Sequence, residues 1–439
     1  MLSPQNAWAI LFALSITATS AVAGPLEDYV ARPDGSFNWK RCEQEPIPHA
    51  TLSHLELVSQ TWQGQFWSHH LLVVRPEKVT HPDVALLFVT GGGYGAPDNK
   101  DAERFNLIAQ RAGAVTALIT KIPNQPLYDG RTEDALIAYT LDQYLKTGDK
   151  TWPLLFPMVK SAVRGMDTVQ QFATKEWGQD IKHFVISGAS KRGWTTWLTG
   201  ATDPRVKAIA PMVIDMLNMK KQLGWAAQMY GKQSEEINDY TSLNLDTRDD
   251  ASMNELRSWI DPYAYRARYT MPKLLLLGTN DPYWVVDSLR NYWDDLPAGK
   301  LVFQTPNAGH DLAGGKEAVT TLANWFALVA ANQPLPEVNW TLRDGSNGPA
   351  GIDVSVNQTA RKIRLWSAHS KDRDFRDDSW TSSELPLAAD NQSAHANVEK
   401  PATGFTAFMA EVELPTSAGD TYKLSTRVQV VPDMVNHNP

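Results

Sequence analysis

From Val84 to Ala331 the sequence alternates short apolar runs with longer stretches of helical periodicity, and a chain of that pattern can bury itself in few ways. Val84 to Thr90 and Ala114 to Thr120 are almost wholly apolar, as strands covered on both faces must be, and Asp101 to Ala112 between them is helical in spacing. The same alternation predicts strands at Val185 to Ser187, Val206 to Ile214, Lys273 to Leu277 and Lys300 to Gln304. Helices are expected from Thr132, an N-cap with Glu133 and Asp134 in the first turn where the helix dipole favours them, and at Phe156 to Trp177, Lys191 to Thr199, Val285 to Asp294 and Lys316 to Ala331. Repeated strand-helix-strand units give a mostly parallel sheet with helices on both faces.

Around this core the patterning changes. Leu55 to Trp62 and Phe66 to Arg75 alternate as an antiparallel pair joined at Gly64. Residues 215–270 are polar and aromatic (Trp225, Tyr230, Tyr240, Trp259, Tyr263, Tyr265), interrupt the sheet pattern and read as an inserted helical cap whose rings pack onto the sheet. Two prolines in Asn332 to Pro336 mark a boundary: 24–333 form the α/β unit and 334–439 a small β-sandwich (Ig/Fn3-like), with strands near Val338, Gly351, Lys362, Phe405 and Thr421. Asp372 to Asp378 reads as a solvated charged loop.

At the N-terminus, an apolar run from Ala7 to Ile16 and the small residues Ala21-Val22-Ala23 read as a signal peptide over 1–23, so a periplasmic or secreted location is expected. No later run reaches the roughly 20 apolar residues of a membrane span. A net charge of −8 over 439 residues provides no footprint for nucleic acid. The one cysteine, Cys42, excludes an internal disulfide and sits in a Pro-rich lead-in, a poor setting for a nucleophile.

Gly188-Ala189-Ser190-Lys191-Arg192-Gly193 lies between an apolar strand and a helix, where a nucleophile elbow belongs. Arg192 occupies the usual second glycine position and Gly193 comes one later. Asp281 and His310 follow later strands in the order Ser, Asp, His, which brings three distant residues to one edge of a parallel sheet. This pattern is that of the α/β-hydrolase fold. A serine needs an imidazole to take its proton, and the imidazole needs a carboxylate to hold its tautomer. Asp215, also after a strand, is the alternative acid, while His69, His70 and His183 read as ordinary, partly exposed histidines. The oxyanion hole is expected from the Lys191 amide and the Gly91-Gly92-Gly93-Tyr94-Gly95 loop, chiefly Gly92 and Gly93, with Arg192 and Tyr94 as substrate contacts. The cations Lys191 and Arg192 either meet the substrate or find a structural partner. No phosphate-loop, C-x-x-C or H-E-x-x-H pattern occurs, so no metal or cofactor is expected.

Together Val89-Thr90-Gly91-Gly92-Gly93, Arg131-Thr132-Glu133-Asp134, Gly188 to Trp194, Asp203-Pro204-Arg205-Val206, Gly278-Thr279-Asn280-Asp281 and Asn307-Ala308-Gly309-His310 resemble the PhoPQ-activated pathogenicity-related proteins. The resemblance runs from about Tyr29 into the C-terminal β region. It implies an exported α/β-hydrolase with the triad Ser190, Asp281 and His310, and no settled substrate. The elbow is also similar to that of glucuronoyl esterases, where a basic residue after the serine assists the oxyanion, the place of Lys191 here. The expected activity is acyl transfer on a small-molecule, peptide or glycan ester or amide. The alternatives are a secreted binding or signalling protein on a hydrolase scaffold and, below it, a uronate esterase.

Overall fold

The apolar runs assemble into one long sheet. The computed structural model describes residues 24–92, 99–343, 349–416 and 418–433. The chain opens with α1 (Pro25–Ala31), β1 (Asn38–Ile47), β2 (Ala50–Trp62) and β3 (Gln65–Pro76), then runs β4 (Val84–Val89), α2 (Asn99–Ala112), β5 (Val115–Ile119), α3 (Glu133–Thr147), α4 (Leu155–Trp177), β6 (His183–Ala189), α5 (Lys191–Thr202) and β7 (Val206–Met212). The cap holds α6 (Met219–Tyr230), α7 (Asn238–Thr241) and α8 (Ala251–Ile260); β8 (Lys273–Gly278), β9 (Lys300–Thr305) and α9 (Lys316–Ala330) follow. The C-terminal strands are β10 (Val338–Arg343), β11 (Ala350–Val356), β12 (Lys362–Ser370), β13 (Thr381–Glu384), β14 (Ser393–Val398), β15 (Phe405–Pro415), β16 (Thr421–Ser425) and β17 (Gln429–Val431).

Strand order is β1-β2-β3-β5-β4-β6-β7-β8-β9-β16-β15-β12-β13, parallel from β5 to β9. The central strands are buried on both faces because each face carries its own core. Leu86 and Leu87, successive residues of β4, point to opposite ones. Leu87 packs with Ile186 and with Met158 and Met166 of α4; Leu86 packs with Phe105 of α2 and Phe326 of α9. This is the α/β-hydrolase arrangement, and no helix among the described residues is long and apolar enough to cross a membrane.

The C-terminal region is sandwich-like, yet one of its two sheets continues the central one. Ser425 of β16 pairs with Val302 of β9, its hydroxyl accepts from the Gln304 amide at 2.9 Å, and the Gln304 side chain accepts from the Val428 amide at 3.1 Å. The second sheet, β10-β11-β14, covers the first through Ile352, Val354 and Ala396 against Ile363, Phe408 and Val412.

Several expectations change. The Cys42 segment is an exposed edge strand, not a lead-in, because β1 completes the β2-β3 hairpin. Val285 to Asp294 forms short 3-10 turns with i to i−3 bonds instead of an α-helix; its Asp287 and Arg290 are held by Arg373 and Asp433 of the C-terminal region. Thr132 precedes α3 without capping it; the Gln125 side chain accepts from the Glu133 amide at 2.8 Å. His69 is buried, not partly exposed. Its Nδ1 donates to the Thr120 carbonyl at 3.0 Å, its Nε2 accepts from Ser59 at 2.9 Å, and burial pushes its pKa down to about 4.

The largest revision concerns Asp372 to Asp378: Asp372 and Asp377 are exposed as read, but the residues between them are partly or wholly buried. Phe375 is buried, and Arg373, 1% exposed, donates to Asp287, 1% exposed, at 2.7 Å while lying over the Trp225 ring at 4.9 Å. Arg290 also donates to Asp287, and Trp225 Nε1 does so at 3.1 Å. A charged segment can be interior when its charges are paired and hydrogen-bonded. Arg373→Ala would leave the buried Asp287 carboxylate with Arg290 as its remaining cation and a void beside Trp225, so a loss of about 3 kcal/mol is expected in urea unfolding; an unchanged midpoint would show that the pair carries no stability.

Candidate active site

Between the last residue of β6 and the first of α5 only Ser190 turns the chain, at φ 58 and ψ −127. A side-chain-bearing residue rarely takes this backbone, and its neighbours must be small. A Cβ on Gly188 would stand 2.8 Å from the carbonyl oxygens of Val89 and Arg192, and one on Gly193 2.8 Å from that of Met212. The displaced Gly193 thus lets α5 abut β7, and the Ser190 amide donates to the Met212 carbonyl at 2.9 Å. Arg192, at the usual glycine position, sends its guanidinium where a Cβ on Gly91 would be. Gly91 is a glycine for that reason.

β4 and β6 are neighbours, but the sheet continues to β5 on one side and β7 on the other, which opens a crevice at their C-terminal ends. Ser190 ends β6 there. Asp281 follows β8 and His310 follows β9, with His310 Nδ1 2.8 Å from Asp281 Oδ2. The other Asp281 oxygen accepts from the Tyr283 amide at 3.0 Å, and the Tyr283 ring stacks on the imidazole at 4.4 Å. With Nδ1 held by the carboxylate, Nε2 is the free basic nitrogen; it is buried and has no protein hydrogen-bond partner. Asp215 makes no bond to His310. Burial above all pushes its pKa up to about 7; the neighbouring Tyr292 hydroxyl opposes the rise, and the charges of Asp281 and Asp287 add to it.

The Arg192 guanidinium, expected as a substrate contact, is engaged within the protein. Its Nη1 and Nη2 donate to Glu133, each at 2.7 Å, and its Nε donates to the Ile122 carbonyl. Lys191 is buried and pairs with Glu133 and Asp134, each at 3.0 Å. Burial opposes charge on Glu133, but the bonds and charge of Arg192 and the charge of Lys191 outweigh it and hold its pKa down to about 2. Both cations are therefore neutralised by the start of α3, a role the sequence carried only as Glu133-Asp134 in a first helical turn. The backbone amide of Lys191, at the first position of α5, has no acceptor within its helix. Gly92, at φ 98, ends the described part of the opposite loop; Gly93 and Tyr94 lie outside the described residues.

Two asparagines next to the acid and base were missed in the sequence. Asn280 Nδ2 donates to the carbonyls of Phe375, Arg376 and Asp378 at 3.0, 3.3 and 2.8 Å. Asn307 exchanges two bonds with the Trp380 backbone, at 2.9 and 2.7 Å. Both loops are thereby tied to the C-terminal region. Their only sequence signal was their presence in the motifs of the two loops.

The Asp215 carboxyl sets a pH signature. Because its folded pKa lies above its unfolded value near 4, its contribution to stability is full below pH 4 and is lost as pH rises through about 7. The melting temperature of Asp215→Asn minus that of wild type is expected to rise from pH 5 to pH 8; a flat difference would mean that Asp215 is ionised throughout.

Known proteins fit this geometry. Autocrine proliferation repressor protein A of Dictyostelium discoideum is 34% identical over 467 residues, covering 97% of this chain and 93% of that one. Acetyl xylan esterase 1 from Thermoanaerobacterium sp. JW/SL YS485 superposes with a TM-score of 0.50 at 18% identity over 70% of this chain and 91% of that one, a likeness of fold. The model of the family described as PhoPQ-activated pathogenicity-related protein matches residues 26–376, from α1 into the segment that docks on Asn280. The chain belongs to the PhoPQ-activated pathogenicity-related protein family.

Proposed function

We propose that the protein is an exported serine hydrolase acting by acyl transfer on an ester or amide. The observation that carries this reading is the His310-Asp281 bond, which leaves Nε2 unpartnered at the sheet edge where Ser190 occupies the elbow. Ser190 Oγ attacks the carbonyl carbon as His310 Nε2 takes its proton, and Asp281 stabilises the imidazolium. The Lys191 and Gly92 amides receive the oxyanion. His310 then protonates the leaving group; water, deprotonated by the same nitrogen, releases the acid. Export rests on the Ala7 to Ile16 apolar run and the Ala21-Val22-Ala23 motif.

A regulatory reading draws on the name of the Dictyostelium relative, a proliferation repressor. It is compatible with an intact triad. The uronate esterase reading has less support, since the Lys191 and Arg192 side chains are already paired with acids and are not free to assist an oxyanion.

With p-nitrophenyl butyrate as substrate, Ser190→Ala and His310→Ala are expected to lower kcat by about 10⁴-fold or more. Wild-type turnover by a folded Ser190→Ala variant would refute the assignment.

A further inference from the structure

We infer that the substrate carries a compact apolar group of about six carbons, which enters a cavity between Ser190 and the cap; this rests on the serine-hydrolase reading. The cavity, ≈ 140 Å³, opens on Ser190 and is walled by Trp194 of α5, Met216 after β7, and Leu245, Met253 and Ile260 of the cap. All five side chains are buried. A dry apolar cavity of about 150 Å³ holds a benzene-sized group, which sets the size.

Chemistry sets the class. The cations around this cavity are engaged with the protein. Lys191 pairs with Glu133 and Asp134, and Asp134 also accepts from Tyr240 at 2.9 Å. Arg257 donates to the Arg248 carbonyl at 2.8 Å and lies 3.5 Å from Asp249. Asp246, half-buried on the cap side, adds negative charge. An acetyl group would leave the apolar walls unfilled. A sugar ring would surrender hydration without regaining its hydrogen bonds, and a carboxylate would meet no free cation. An alkyl or phenyl group gains at every wall.

Two series of esters test this: p-nitrophenyl acetate, butyrate, hexanoate and decanoate vary the acyl side, and ethyl, butyl and hexyl acetates vary the alcohol side. With one methylene worth about fourfold, kcat/KM is expected to rise on the order of a hundredfold from two to six carbons in one series and to level off beyond, the responsive series showing which half of the substrate is bound. Leu245→Trp, which fills the cavity from the cap, is expected to lower the six-to-two-carbon ratio at least tenfold. Hydrolysis that is lost in Ser190→Ala but is fastest on the shortest member of both series, or that is fastest on a methyl uronate ester, would overturn the inference and leave the serine-hydrolase reading standing. No Ser190-dependent hydrolysis of any ester would overturn both.

Discussion

The left-handed backbone of Ser190 is the constraint on which the rest of the site depends. It can be held only if the strand before it and the helix after it come very close to their neighbours, which removes the side chains at positions 188 and 193. Once the second glycine sits one residue late, position 192 faces the β4 loop, and there an arginine is accommodated by the bare backbone of Gly91. A buried guanidinium needs an anion and acceptors, and Glu133 with the Ile122 carbonyl supplies them. One strained residue thus links β4, β6, α5 and the start of α3. The same pairing removes two cations from the pocket and leaves it apolar.

Asp281 and His310 are fixed from the other side. β8 and β9 deliver Asp281 and His310 to the sheet edge, but their loops are held by segment 375–380, through Asn280 and Asn307. Asp287, six residues beyond Asp281, is anchored by Arg373 of the same region. Hydrogen bonds to backbone carbonyls fix a loop more sharply than apolar contact, since they specify direction as well as distance. The C-terminal strands therefore belong to the frame of the site and extend the central sheet from β9.

What the sequence disclosed follows from how local each signal is. Buried parallel strands such as Val84–Val89 and Lys273–Gly278 show themselves as continuous apolar runs, and Ser190, Asp281 and His310 were singled out because each lies in the loop after a strand recognised in this way. Position in the fold favoured Asp281 over Asp215 without excluding the latter; in the structure His310 Nδ1 meets Asp281. The fates of Lys191, Arg192 and Arg373 were hidden because their partners lie about 60 to 90 residues away in the chain. The charges of residues 372–378 suggested solvent for the same reason. Strands β13 and β14, short and polar or alternating with small residues, carry too little apolar pattern to stand out.

Mapping a fluorophosphonate adduct by mass spectrometry, with its rate of formation in wild type, Asp281→Asn and Asp215→Asn, tests the central claim most directly. The expected result is a single adduct on Ser190, formed at least a hundredfold more slowly in Asp281→Asn and at close to the wild-type rate in Asp215→Asn. An adduct elsewhere, no adduct on folded wild type, or a rate that depends on Asp215 and not on Asp281 would contradict it.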